Sequence, residues 1–117
     1  MRRAARLDSN HHEVQAALER DGWTVYSWAA DSGRLDLINA DEILTWMGEV
    51  KNGELPPSER RLTPREVDFM MGWPGKGDVL LGAEQAVEVG RAMRGGAGLS
   101  AREACERYLQ LTGGVAR

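Results

Sequence analysis

The stretch RLDLINADEILTWMGEVKNG, residues 34–53, holds two short runs on either side of a pair of turn residues. The first run, residues 34–40, reads as a strand with Leu35, Leu37 and Asn39 on one face and Asp36, mid-strand, with Ile38 on the other. Asp41 and Glu42 turn the chain, and ILTWMGEV, residues 43–50, is the next strand, antiparallel to its predecessor if the turn is tight. Folding this hairpin about Asp41 sets Asp36 opposite the stretch from Thr45 to Glu49, close to Glu49. Glu49 and Lys51 lie two apart, so they share a strand face. Two carboxylates and an amine are thereby drawn to one end of a sheet.

Outward from the hairpin, the pattern predicts α/β alternation. Residues 10–21 form a helix with Val14, Ala17 and Leu18 as its apolar stripe. Asn10 caps it, Glu13 completes a capping-box pattern, and Gly22 ends it. WTVYSW, residues 23–28, is β-branched and aromatic, hence a strand, and AADSG is a loop. Beyond the hairpin, residues 52–62 are a charged loop. Thr63 caps and Pro64 opens a helix that runs through Val67, Phe69, Met70 and Met71 to about Trp73. PGKG breaks that helix, DVLLG (residues 78–82) is a strand, and residues 83–93 are helical. A Gly-rich linker, residues 94–98, leads to Ser100 and an amphipathic helix over residues 101–111. The order is α-β-β-β-α-β-α with an appended helix, a mixed sheet with helices on its faces.

Bulk properties narrow the class. The 117 residues fit one compact domain. The single Cys105 forms no internal disulfide, which favours a reducing compartment, and no apolar run is long enough to span a bilayer. The opening MRRAARLDSNHHE has basic residues and no apolar region, so it does not read as a secretory signal. A net charge of −3 argues against coating nucleic acid by bulk attraction, yet it leaves room for a nuclease whose site is itself carboxylate-rich. Basic residues cluster at Arg2, Arg3 and Arg6 and again at Lys51, Arg60, Arg61 and Arg65. His11 and His12 point different ways on the first turn and read as surface residues. The four tryptophans read as core or dimer surface rather than base-stacking platforms. Met70 and Met71 read as core filling, and Cys105 as a buried apolar residue.

Asp36 and Glu49 make a hard-oxygen pair of the kind that holds Mg²⁺ by one or two carboxylates, leaving other positions to water and substrate phosphate. A neighbouring lysine orients or deprotonates water, or offsets phosphate charge. These parts suit phosphodiester hydrolysis. A Glu-x-Lys alone is common on exposed strands; the upstream Asp, the strand context and the helix order separate this one from that background.

GRLDLINADEILTWMGEVKNG resembles the signature of the PD-(D/E)xK nuclease superfamily, with Asp36, Glu49 and Lys51 falling on its three positions. RRLTPREVDFMMGW, residues 60–73, is similar to the stretch after the catalytic strand in small phage and bacterial members related to the VRR-NUC and Holliday-junction-resolvase groups. The resemblance spans about residues 6–93. It implies a restriction-endonuclease-like αβββαβ core over residues 1–93. Residues 99–112 lie outside the resemblance and read as a C-terminal helix packing on that core or on a partner protein. The resemblance also implies an endonuclease dependent on Mg²⁺ or Mn²⁺, selective for Holliday junctions or other branched DNA. Asp36 and Glu49 would hold the metal, the Val50 carbonyl would add an oxygen, and Lys51 would assist the water. Glu13 would support the metal, or only cap its helix. Arg60, Arg61, Thr63 and Arg65 would hold DNA phosphates. A homodimer is expected, acting in the cytoplasm of a bacterial host if phage-encoded. Two positions depart from the family: Leu35 stands where proline is frequent, and Glu66 where relatives often carry glutamine. A non-catalytic DNA-binding or assembly module that keeps the fold is the rival reading.

Overall fold

A computed structural model describes residues 8–28 and 36–117. Arg2, Arg3, Arg6, the AADSG loop, Arg34 and Leu35 lie outside the described residues. The elements are α1 (His11–Arg20), β1 (Thr24–Ser27), β2 (Leu37–Ala40), β3 (Thr45–Val50), a 3-10 turn (Pro57–Glu59), α2 (Pro64–Gly72), β4 (Lys76–Leu80), α3 (Ala83–Arg94) and α4 (Ala101–Thr112). The strands form one mixed sheet in the order β1-β2-β3-β4. β1, β2 and β3 run antiparallel in sequence, and β4 lies parallel to β3, joined to it through α2.

The hairpin forms in the expected register: Leu37 faces Gly48 and Ala40 faces Thr45. Its turn is an Asx turn, with the Asp41 carboxylate accepting the N–H groups of Ile43 (2.9 Å) and Leu44 (2.8 Å). Asp36 is not mid-strand. β2 begins at Leu37, and Asp36 takes the Val50 N–H on its own side chain, Oδ2, at 2.6 Å. A carboxylate thus stands where a continuing ladder would offer a backbone carbonyl.

Alternation along β3 splits the protein into two cores. Trp46 and Val50 face α1 and α3, packing with Val14, Leu18, Leu37 and Leu80. Met47 faces the opposite way, toward α2 and α4, with Leu62, Met70, Val79, Ala104 and Cys105. Every residue of β3 after Thr45 is buried, as befits a strand covered on both faces. Gly77 on β4 lets α4 lie close: a Cβ there would come within 2.5 Å of Met47 Sδ and 3.0 Å of Ala101 Cβ. Arg94 at the end of α3 pairs with Asp21 and Asp41 (both 3.3 Å) and lies over the Trp23 ring at 4.2 Å.

Several expectations change. β4 begins two residues earlier than expected, at Lys76, because the following segment pairs with it. Lys76 bridges to Ser100, Gly77 N–H reaches the Leu99 carbonyl at 3.2 Å, and Lys76 Nζ donates to the Gly98 carbonyl at 2.7 Å. α4 is consequently part of the fold, with Ala101, Ala104, Cys105 and Tyr108 buried in the second core. Asn10 makes no side-chain cap on α1. Its Nδ2 instead donates to the carbonyls of Lys51 (3.2 Å) and Leu81 (3.1 Å), pinning the start of α1 to the ends of β3 and β4. His11 is not a surface residue: it is 1 % exposed, its Nε2 paired with Ser27 Oγ at 2.9 Å. Thr63 and Ser100 do cap α2 and α4, each in a full capping box.

Candidate active site at the end of β3

The sheet register brings the three motif residues together. One step beyond the last paired residues, Asp36 falls beside Glu49, on the face of the sheet that looks toward α2 and α4. Lys51 follows on the same face, just past the end of β3. Because a residue's N–H and C=O leave a strand along the same edge, the hydrogen bond from Val50 N–H to Asp36 directs the Val50 carbonyl toward Asp36 as well.

Glu49 is 1 % exposed, and its Oε1 has no hydrogen-bond partner. Burial pushes its carboxyl well above the usual carboxylate range, and the nearby carboxyls of Asp36 and then Glu66 add to the effect. A buried carboxylate oxygen without a partner costs free energy, so the sequence has placed an unsatisfied acceptor where a cation would satisfy it. Lys51 Nζ pairs with Glu66 Oε1 at 2.9 Å. Burial would lower the Lys51 pKa, but Glu66, Glu49 and Asp8 outweigh it and hold the ammonium above its ordinary value. Glu66 is shifted down despite its burial, by Lys51 and by the Thr63 N–H that it accepts at 2.8 Å. The carboxylate that caps α2 is therefore the one that holds the motif lysine.

Asp8 borders the group without having been singled out from the sequence, and His11, read from the sequence as a surface residue, feels Asp36 from the other face of the sheet. Asp8, just before α1, is shifted up by burial, with Lys51 opposing and Asp36 and Glu66 adding to the shift. His11, two strands' width from β3 on the other face, is shifted down by burial against the pull of Asp36. An acid just before a helix is an ordinary capping signal, so nothing local set Asp8 apart. The shape of the group is four carboxylates around one ammonium.

Glu13 is exposed and lines a shallow groove with Asn10, Asn52, Glu54 and Leu81; none of Asp36, Glu49 and Glu66 lines that groove. Two of the expected phosphate-binding arginines are engaged elsewhere. Arg60 donates to the Leu55 carbonyl (3.0 Å) and to Tyr108 OH (3.1 Å), and Arg61 donates to the Thr112 carbonyl (2.8 Å). Both fasten the loop before α2 onto α4. Thr63 is committed to its cap, its Oγ1 accepting the Glu66 N–H at 3.2 Å. Arg65 is exposed on the first turn of α2.

Asp36, Glu49 and the Val50 carbonyl are three oxygens at one strand end, which fits a small divalent cation that retains waters and shares substrate oxygens. Among the described residues, no three His, Cys, Asp or Glu side chains form a ready-made cage for a metal ion. Comparison with family models, with curated proteins and with solved structures finds no match to this chain.

Proposed function

We propose that the chain is a metal-dependent endodeoxyribonuclease built on a restriction-endonuclease-like core. One observation carries the reading: Asp36, Glu49 and Lys51 converge at the end of β3, with a buried Glu49 oxygen left unpartnered. The order α-β-β-β-α-β, with β4 parallel to β3, supports the core topology.

Charge accounts for the metal dependence. A phosphodiester anion meets Asp8, Asp36, Glu49 and Glu66 against Lys51 alone, and like charges at this range repel strongly in a partly buried site. Asp36 and Glu49, with the Val50 carbonyl, would hold Mg²⁺ or Mn²⁺, which supplies Lewis acidity and an activated water. Lys51, paired with Glu66, would orient the water and donate hydrogen bonds to the phosphate oxygens whose charge grows in the transition state. Arg65, exposed on the first turn of α2, is the arginine left to meet a phosphate, since Arg60 and Arg61 are engaged with the loop and α4.

The fold measures 39 × 31 × 26 Å, and its described residues hold one such site. Cutting two arms of a branched DNA then requires two copies, which is the basis for proposing a homodimer and a branched substrate. The work would be done where DNA is accessible, in a bacterial cytoplasm. No helix among the described residues is long and apolar enough to cross a membrane. The rival, a DNA-binding or assembly module without catalysis, draws support from the Lys51–Glu66 pair, which occupies the lysine.

Labelled four-way junction, flap, single-strand and duplex DNA, incubated with Mg²⁺, Mn²⁺ or chelator, separate the two. Metal-dependent cleavage abolished by Lys51→Ala is the expected result. Folded wild-type protein that cuts none of these substrates would favour the module.

A further inference from the structure

Among the described residues, the sheet bears an exposed aromatic pair beside the carboxylates. Tyr26 is 61 % and Trp28 42 % exposed, and their rings meet edge to face with centroids 5.4 Å apart. Alternation fixes the side of the sheet they occupy. Val25 packs into the core under α1, and Ser27 bonds His11 of α1, so Tyr26 and Trp28 point to the opposite face, the one that carries Asp36 and Glu49. On that face α2 and α4 cover Met47 of β3 and Val79 of β4, and leave β1 bare. Trp28 N–H donates to the Asp36 carbonyl at 2.9 Å, so Trp28 stands directly across from Asp36. Carrying the registers one step past Ser27–Leu37 and Leu37–Gly48 gives a single row, Trp28, Asp36, Glu49, across three strands. Neighbours in such a row are about 4.8 Å apart.

We propose that Tyr26 and Trp28 form a stacking platform for an unpaired nucleobase whose phosphate meets the cation that Asp36 and Glu49 would hold. The inference rests on the nuclease reading and narrows its substrate to DNA with an unpaired nucleotide at the cleavage point. Three physical points select this occupant. The platform adjoins carboxylates, so a second phosphate is repelled from it, whereas a neutral base is not. A base is tethered to its own phosphate, and the platform lies one strand spacing from the carboxylate that would hold the cation engaging that phosphate. A base inside a duplex has both faces already stacked, so only an unpaired one can exchange a neighbour for an indole.

The test measures binding by fluorescence anisotropy of labelled oligonucleotides with Ca²⁺ present: a single strand, the same strand with abasic positions, and a blunt duplex. Aromatic stacking of one base corresponds to about 5- to 150-fold in affinity. Trp28→Ala is expected to weaken single-strand binding by roughly 10-fold, with Trp28→Phe restoring most of it. Neither variant should change duplex binding, and the abasic strand should bind wild type and Trp28→Ala alike. Tyr26→Ala, at a more exposed position, serves where Trp28→Ala fails to fold, and is expected to give a smaller loss of the same pattern. Unchanged single-strand affinity in the Tyr26→Ala, Trp28→Ala double variant, with metal-dependent cleavage intact, would reject the platform and leave the nuclease standing. Trp28-dependent single-strand binding without cleavage of any substrate would retain the platform and reject the nuclease. Absence of single-strand binding by wild type overturns the platform, as does a dimer that sediments as monomer only in the double variant, which would assign the face to a second copy.

Discussion

Replacing Glu49 by glutamine is expected to stabilise the protein in the absence of metal. Glu49 is 1 % exposed with Oε1 unpartnered, and its carboxyl is pushed up by burial and by Asp36 and Glu66. Leaving a buried acceptor unpaired costs about 1–3 kcal/mol. Glutamine keeps the shape, removes the charge, and offers an N–H₂ to the two neighbouring carboxylates. The sign with pH follows from linkage. A carboxyl whose folded pKa is raised contributes its full stability below its unfolded value, near 4.3, and loses it as pH rises through the folded value. The variant lacks that loss. In chelator, the two proteins should therefore melt close together near pH 4 and diverge as pH rises. At pH 8 Glu49→Gln should be ahead by about 1–3 kcal/mol, or roughly 4–15 °C for a domain of this size. Mg²⁺ should then raise the wild-type midpoint, by about 1.4 kcal/mol at tenfold above its dissociation constant, and leave the variant unmoved. Differential scanning calorimetry from pH 4 to 8 reads all of this. A variant less stable than wild type at pH 8, or a gap that does not grow with pH, would refute the account of Glu49 as a destabilising, cation-awaiting group.

Four other outcomes are expected. Glu66→Gln retains an oxygen for the Thr63 N–H and should melt within a few degrees of wild type, whereas Glu66→Ala loses half of the capping box and about 1 kcal/mol; thermal melts decide. Gly77→Val drives a side chain into Met47 and Ala101 and should cost about 1–3 kcal/mol in urea titration. Tyr108→Phe removes the hydroxyl that donates to the Arg60 carbonyl at 2.7 Å and accepts from its guanidinium, and should cost about 1 kcal/mol by the same method. Deleting residues 95–117 strips Ala101, Ala104, Cys105 and Tyr108 from the second core, so circular dichroism should show loss of cooperative unfolding; a cooperative melt would mean that the sheet stands without α4.

What could be read from sequence depended on range. The hairpin register, the Thr63 and Ser100 caps and the Asp36–Glu49–Lys51 convergence are set by period-two alternation and by turn chemistry within a few residues. Asn10, Asp8 and His11 were misjudged or passed over because their partners lie far along the chain. Asn10 reads locally as a cap, yet its amide reaches Lys51 and Leu81. His11 reads as a polar first-turn residue, yet Ser27 and the end of the sheet bury it. Glu66 departs from the family pattern in the sequence alone, but that this capping carboxylate also reaches Lys51 depends on where the fold sets the start of α2. Arg60 and Arg61 read as a basic patch because charge is visible in a sequence, and their engagement with α4 is not. The place of α4 was open for the same reason: an apolar stripe does not name the surface that it meets.

That α4 and the segment before it close over β4 has a consequence for synthesis. β4 is added parallel to β3 after the α2 crossover, and α4 then covers the side of the sheet where Met47 and Val79 are exposed until it docks. A nascent chain emerging from a ribosome can form the hairpin, α1 and α3 early, since those contacts lie within residues already extruded. It cannot complete the cover on the far side of its sheet, to which α2 contributes, until residues through Thr112 are free of the exit tunnel. For those seconds the half-built protein shows an apolar sheet face, the kind of surface that chaperones hold and that aggregates. The second core is thus closed by α4 rather than by the β2–β3 hairpin.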